Sequence, residues 1–185
     1  LEKSIPLSKG NVAKQKTHID PVRFSKTIID ISKFYGACDV SFLRLKPHHF
    51  YSHKGRHAKN WGDKTDQTHK TAIAIVVPMR VEMIKKGPTS SVLQESAQKY
   101  VEAAKVSNIL AGYIRNFGYP ARAHNDANYD TLCVPIAVES GLGELGRMGI
   151  FMHRVHGPCV RLAIVTTDLE LPDSSLQKPL HMEEF

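Results

Sequence analysis

Thr71-Ala-Ile-Ala-Ile-Val-Val-Pro78 is an apolar run rich in β-branched residues, and Val160-Arg-Leu-Ala-Ile-Val-Thr-Thr167 is a second. Runs of this length without helical periodicity predict strands covered on both faces. Amphipathic segments surround them. Asp20-Pro21 reads as an N-cap followed by proline at the first helical position; Val22, Ile28, Ile29, Ile31 and Phe34 then form a stripe that Gly36 closes. The longest helix is predicted over residues 91–117, with Ala97, Val101, Ala104, Ile109, Leu110, Tyr113 and Ile114 at helical spacing. A short strand over 40–45 and a short helix over 135–140 complete the pattern, while 46–70 and 119–133 read as irregular loops. This order predicts an α/β chain, or α+β sandwich, with helices packed on a central sheet.

The chain has 185 residues, 42% of them hydrophobic and 23% charged, enough for one domain with a real core. Residues 1–18 are polar and lysine-rich and predict a mobile or extended arm, 19–171 the folded domain, and 172–185 a tail. No apolar run approaches the roughly 20 residues that span a bilayer. The formal charge is +7, but the lysines and arginines are dispersed in small clusters at 9–16, 54–59 and 85–86. With no arginine-rich tract and no aromatic-plus-basic signature, a solvated basic surface is expected rather than nucleic-acid binding. Cys38, Cys133 and Cys159 are odd in number and widely spaced. They predict buried inert thiols, no disulfide framework and no four-thiolate cluster within this chain, and lean toward a cytoplasmic compartment. His49, His53 and His57 are spaced by four, yet Pro47 and Gly55 break any helix there. They are expected as solvated loop residues, and no metal site is predicted. His153 and His156, beside the glycine passage below, face either a ligand or solvent.

Val134-Pro-Ile-Ala-Val-Glu-Ser-Gly-Leu-Gly-Glu-Leu-Gly-Arg-Met-Gly-Ile150 is dense in glycine. Gly141, Gly143, Gly146 and Gly149 would let backbone approach a large flat ligand and present N–H groups to its polar substituents. Gly141 to Gly146 formally matches G-x-G-x-x-G. A dinucleotide site, however, requires a strand immediately before the glycines, and none is predicted here.

Together with Phe117-Gly-Tyr-Pro-Ala-Arg-Ala123, Gly157-Pro-Cys-Val-Arg-Leu162 and Thr166-Thr-Asp-Leu-Glu-Leu171, this passage resembles the cobalamin-binding part of reductive dehalogenases. Weaker agreement reaches back through Tyr51-Ser-His-Lys-Gly-Arg56 and covers roughly residues 20–171. The epoxyqueuosine reductases share the Gly-Leu-Gly element, but Glu144-Leu-Gly-Arg147 is similar to the dehalogenase version. The resemblance implies a nitroreductase-like fold holding a base-off corrinoid with no protein ligand to cobalt. In that family a cysteine-rich ferredoxin-like region follows the Thr-Asp-Leu segment. Its cysteines are missing here, which implies either a fragment or a corrinoid domain fed by an external donor, a ferredoxin-like or reductase protein.

The resemblance further places a catalytic tyrosine at Tyr100, its basic partner at Arg161, and an amide partner at Asn128 or else Asn125. A tyrosine titrates near pH 10, and a neighbouring guanidinium makes its proton easier to give. Expected corrinoid contacts are Tyr51, Tyr119, Ala121, His124, Pro135, Gly141, Leu142, Gly143, Glu144, Gly146, Arg147 and Gly149, with Arg147 reaching a corrin amide or Glu144. Two functions stay open on this reading: reductive removal of halide from a small organohalide, or a non-catalytic module that carries or processes cobalamin.

Overall fold

The computed structural model describes residues 5–56, 60–126 and 128–174. Four strands form one antiparallel sheet in the order β1 (Asp39–Arg44), β2 (Thr71–Pro78), β6 (Val160–Thr167), β3 (Ala121–His124). The two apolar runs are its central pair, in register from Thr71 opposite Thr167 to Pro78 opposite Val160. Both are buried on both faces, the pattern more usual for parallel strands. The period of two accounts for it. Ile73, Ile75 and Val77 face one core with Ala163 and Val165; Ala72, Ala74 and Val76 face the other with Ile164.

On the first face lie α2 (Pro21–Phe34) and α4 (Ser90–Asn116), supplying Phe24, Ile28, Val106, Leu110 and Ile114. Each such side chain contributes about 1.5–3 kcal/mol when buried. On the second face lie α5 (Cys133–Glu139) and the hairpin of β4 (Gly143–Leu145) with β5 (Phe151–His153), supplying Ile136, Leu142 and Phe151. The result is a central sheet with helices packed on it, as the sequence predicts, the second face being shared by a short helix and a hairpin. A single turn, α3 (Val81–Ile84), precedes α4. No described helix is long and apolar enough to cross a membrane.

Helix termini follow their residues. Asp20 caps α2 by accepting the N–H groups of Val22 and Arg23 at 2.9 and 3.3 Å, and Gly36 leaves the helix at φ +109°. The stripes are rotated from those expected. Val22, Phe34 and Val101 are exposed, while Ser25, Ser32, Glu95 and Ser107 are buried. Glu95 is tolerated inside because it accepts both the backbone N–H and the Nε–H of Arg80, each at 2.7 Å.

Residues expected as a mobile or extended arm are docked from Leu7 to Thr17. A short helix, α1 (Ile5–Ser8), starts the described chain, and Ser8 is buried. Arg115, near the end of α4, donates to the carbonyls of Leu7, Ser8 and Ala121. Ala13 and Thr17 N–H groups add bonds to the carbonyls of Arg115 and Phe117. Residues 1–4 of that segment, His57, and 175–185 of the tail lie outside the described residues.

Candidate functional site

Where β6 begins, the sheet, α4, α5 and the hairpin leave a cleft of about 500 Å3. Tyr100 of α4 and Val160, Arg161 and Leu162 of β6 line it. Cys133, Val134 and Pro135 come from α5, and Gly149, Ile150 and Phe151 from the hairpin. Two loops that read as irregular supply Tyr51 and Arg56, then Asn125, Asp126, Tyr129, Thr131 and Leu132.

Tyr100 and Arg161 meet there. The Arg161 guanidinium carbon stands 4.5 Å from the Tyr100 ring centroid, over its face. Ser96, one turn earlier on α4, accepts from Arg161 Nη2, while Arg161 Nε is buried with no hydrogen-bond partner among the described residues. At the other wall Tyr51 and Tyr129 rings lie 5.8 Å apart, and Arg56 stands over Tyr129 and 3.9 Å from Asp126. Burial, then Tyr129 and Cys133, push the Tyr51 hydroxyl above its ordinary value against the opposing pull of Arg56. Burial pushes the Cys133 thiol up to about 12, so it stands protonated at neutral pH.

Of the two amide candidates, Asn125 lines the cleft and Asn128 does not. Asn128 donates to Ser8 Oγ at 2.6 Å and receives Arg122 Nη2 at 3.4 Å, tying its loop to the docked arm. Tyr119 and Ala121, expected as pocket-lining, lie outside the lining on the α2–α4 side of the sheet. The Tyr119 hydroxyl donates to the Thr17 carbonyl at 3.2 Å and its ring carries Lys16, so it holds the arm. His124 stands behind the cleft, fully enclosed. Its Nδ1 accepts the Asp130 N–H at 3.1 Å and its Nε2 pairs with Thr166 Oγ1 at 2.9 Å. Burial, followed by Arg122, His69 and Lys9, keeps this imidazole neutral, well below its ordinary range. It therefore fixes the loop carrying Asn125 and Tyr129 without entering the cleft.

The glycine passage divides. Gly149, at φ +72°, borders the cleft, and a Cβ there would meet nothing within 4 Å. Gly141, Leu142, Gly143, Glu144, Gly146 and Arg147 lie outside the lining. Gly143 is required by the hairpin itself, since a Cβ would fall 2.1 Å from the Met152 carbonyl oxygen. Leu142 is core, and Arg147 and Met148 project from the hairpin tip. Of the expected contacts, the cleft thus gathers Tyr51, Pro135 and Gly149 beside Tyr100 and Arg161. Sequence reasoning missed Asp126, Tyr129, Ile150 and Phe151, which carry no periodicity; Arg56 closes a segment that the resemblance had marked.

His49, expected in solvent, is fully buried. Its Nδ1 accepts the Lys46 N–H at 3.0 Å in the 3-10 turn Pro47–His49, and its Nε2 lies 3.1 Å from Glu139 at the end of α5. Lys46 Nζ and His48 Nε2 reach the same carboxylate at 2.9 and 2.7 Å. Burial works to raise Glu139, but the hydrogen bonds from His48 and Lys46, with the His49 ring beside them, outweigh it and hold the carboxyl at about 2. This knot clamps α5 to the segment that delivers Tyr51.

No protein-family model matches the chain. In sequence it is similar to tetrachloroethene reductive dehalogenases: 36% identical over 122 residues to that of Dehalobacter restrictus, and 33% over 110 residues to that of Sulfurospirillum multivorans. The first match covers 63% of this chain and 22% of the relative, so the chain spans about a fifth of the length of the curated relatives it matches. In structure it is similar to a catabolic reductive dehalogenase, with TM-score 0.81 at 22% identity over 93% of this chain and 25% of the other. A reductive dehalogenase described by its B12-dependent dehalogenation matches at TM-score 0.79 and 22% identity, covering the same shares of the two chains. An epoxyqueuosine reductase matches at 0.57 and 12% identity, over 88% of this chain and 50% of that one.

Proposed function

We propose that this chain, a relative of the reductive dehalogenases in sequence and in fold, forms the corrinoid- and substrate-binding part of an enzyme that replaces halide by hydrogen on a small organohalide. The observation that carries the reading is the Tyr100–Arg161 pair, set in one cleft with Asn125 and Gly149.

The cleft residues fit a corrinoid on three counts. Arg161 and Arg56 line the cleft with fixed guanidinium groups that can meet polar substituents of a ligand. At Gly149 the backbone offers open space where any side chain would intrude. Among the described residues the lining carries no imidazole or thioether, and the thiol it does carry, Cys133, is held protonated. That donor set suits a base-off corrinoid without a protein ligand to its metal. Pro135, Ile150, Phe151, Val160 and Leu162 supply apolar contact. Glycines 141, 143 and 146 support this wall by allowing the hairpin to pack.

A bound corrinoid supplies a low-valent cobalt, the electron-rich centre the reaction needs. Exchange of halide for hydrogen consumes two electrons and one proton. Tyr100 Oη gives the proton to the carbon that loses halide. The Arg161 guanidinium, held by Ser96, stabilises the negative charge that grows on the phenolic oxygen as the proton leaves. Asn125, held in the cleft by the loop that His124 braces, orients the substrate. Electrons come from a redox centre beyond these residues, supplied by a ferredoxin-like segment or by a separate ferredoxin-like or reductase protein.

The test is to mix the full chain with cobalamin and record the visible spectrum. A base-off shift is expected, and no spectral change would remove the proposal. Turnover of a bromophenol or chloroethene with a chemical reductant then separates catalysis from simple carriage, since a carrier would bind cobalamin and release no halide.

A further inference from the structure

We propose that Cys38, His153 and His156 form a site for one soft divalent cation such as Zn2+, which pins the β4–β5 hairpin to the start of β1. This does not depend on the dehalogenase reading. The three residues offer ligand atoms within 4.8 Å of one another. Tetrahedral bonds of about 2.0–2.3 Å need ligand atoms roughly 3.3–3.8 Å apart, so small side-chain rotations suffice.

Local structure explains the gathering. His153 ends β5, and paired bonds with Gly157, His153 N–H to Gly157 O at 2.9 Å and the reverse at 2.8 Å, close a tight turn. Gly157 takes φ +54° there, and the turn returns His156 beside His153 with the rings stacked 5.4 Å apart. Cys38 is placed by its N–H bond to the Val76 carbonyl at 2.8 Å, and its thiol donates to the same oxygen at 3.4 Å, a bond that cation binding would release.

The surroundings of His153 are those of a metal ligand. Asp39 Oδ2 lies 3.3 Å from Nε2, so a carboxylate holds the Nε2–H and leaves Nδ1 as the donor atom. Nδ1 faces the turn carrying His156 and accepts two long hydrogen bonds, 3.3 Å each, from the Val155 and His156 N–H groups, which a bound cation would replace. His153 is buried while Cys38 and His156 are half-exposed, which gives the cation a way in and leaves a fourth position for water. One thiol and two imidazoles suit Zn2+ or Co2+ and not Ca2+ or Mg2+, which take oxygen.

The second such cluster, His48, His49 and Glu139, lacks these features. Lys46 already occupies its carboxylate, and the Lys46 N–H bond to His49 Nδ1 puts the His49 proton on Nε2, the atom that faces Glu139. His49 therefore turns an N–H, not a lone pair, toward that carboxylate.

The experiment uses the untagged full chain, stripped with chelator and free of corrinoid, titrated with Co2+. Expected are one-to-one binding, a thiolate-to-cobalt charge-transfer band with tetrahedral d–d bands, and their loss on adding Zn2+. Cys38→Ser should abolish the charge-transfer band and His156→Ala should weaken binding at least about 10-fold, whereas Cys159→Ser should keep both. Zn2+ should also shield Cys38 from iodoacetamide in the unmutated chain, a readout that stands if Cys38→Ser fails to fold. Absence of stoichiometric binding, a band retained in Cys38→Ser, or equal alkylation of Cys38 with and without Zn2+ would overturn the proposal.

Discussion

Ser96 and Tyr100 stand one helical turn apart on α4, and the guanidinium of Arg161 spans them, bonded to the hydroxyl of the first and stacked on the ring of the second. The i and i+4 positions of a helix share a face, so one side chain from β6 reads both. The pair is held on its backbone rather than by chance rotamers.

Removing the phenolic hydroxyl is the direct trial of Tyr100. Tyr100→Phe keeps the ring under Arg161 and takes away only the hydroxyl. Turnover should fall by about 10^2–10^4-fold with cobalamin still bound by its visible spectrum. Unchanged turnover would refute the assignment.

Ser96→Ala tests positioning. A hydrogen bond to a charged group contributes about 1.5–3 kcal/mol, so kcat should drop by roughly 10–100-fold while KM and corrinoid affinity hold. Ser96→Thr should restore much of the loss. A merely structural Ser96 would instead lower the melting temperature and leave kcat alone.

Asn125 and Asn128 lie in one loop with separate duties. Asn125→Ala should reduce turnover with little change in melting temperature. Asn128→Ala, which breaks the bond to Ser8, should lower the melting temperature and leave the reaction largely intact. The reverse pattern, read by paired calorimetry and kinetics, would return the amide role to Asn128.

Much of this arrangement was legible beforehand. The runs at 71–78 and 160–167 announced the central strands because burial on both faces leaves no place for polar residues, and Arg161 marks where the second emerges into the cleft. Ala121-Arg-Ala-His124 did not read as a strand: it is short, has no β-branched residue and alternates with a cation that finds its partner in Asp130. Val101 seemed core by spacing, yet its neighbours Ser96 and Tyr100 serve the cleft and the helix turns Val101 outward. Gly143 showed as a glycine but not as a hairpin position, since its crowding comes from Met152, nine residues on.

Gly143→Ala should therefore destabilise the chain by about 1–3 kcal/mol through overpacking and distort the wall at Gly149 and Ile150. Gly149→Ala should cost less stability, since open space surrounds it, with strain only from its positive φ. Denaturant midpoints of the two variants check the ranking.

The Glu139 knot gives a pH dependence with a definite sign. Its carboxyl is depressed from 4.5 to about 2, so the stabilisation it provides is complete above about pH 4.5 and disappears as pH falls toward 2. Glu139→Gln should lower the melting temperature at neutral pH and converge with the unmutated chain near pH 2. A constant gap across that range would contradict the pairing.

The helix that presents Tyr100 to the cleft is the one whose far end, through Arg115, grips the docked arm. Fifteen residues separate the two along an unbroken rod, a span of about 22 Å at 1.5 Å per residue. A rod seated at its far end turns slack there into tilt at the other. Trimming a few residues before Ser8 is thus expected to alter how Tyr100 is aimed into the cleft, from the opposite end of the molecule.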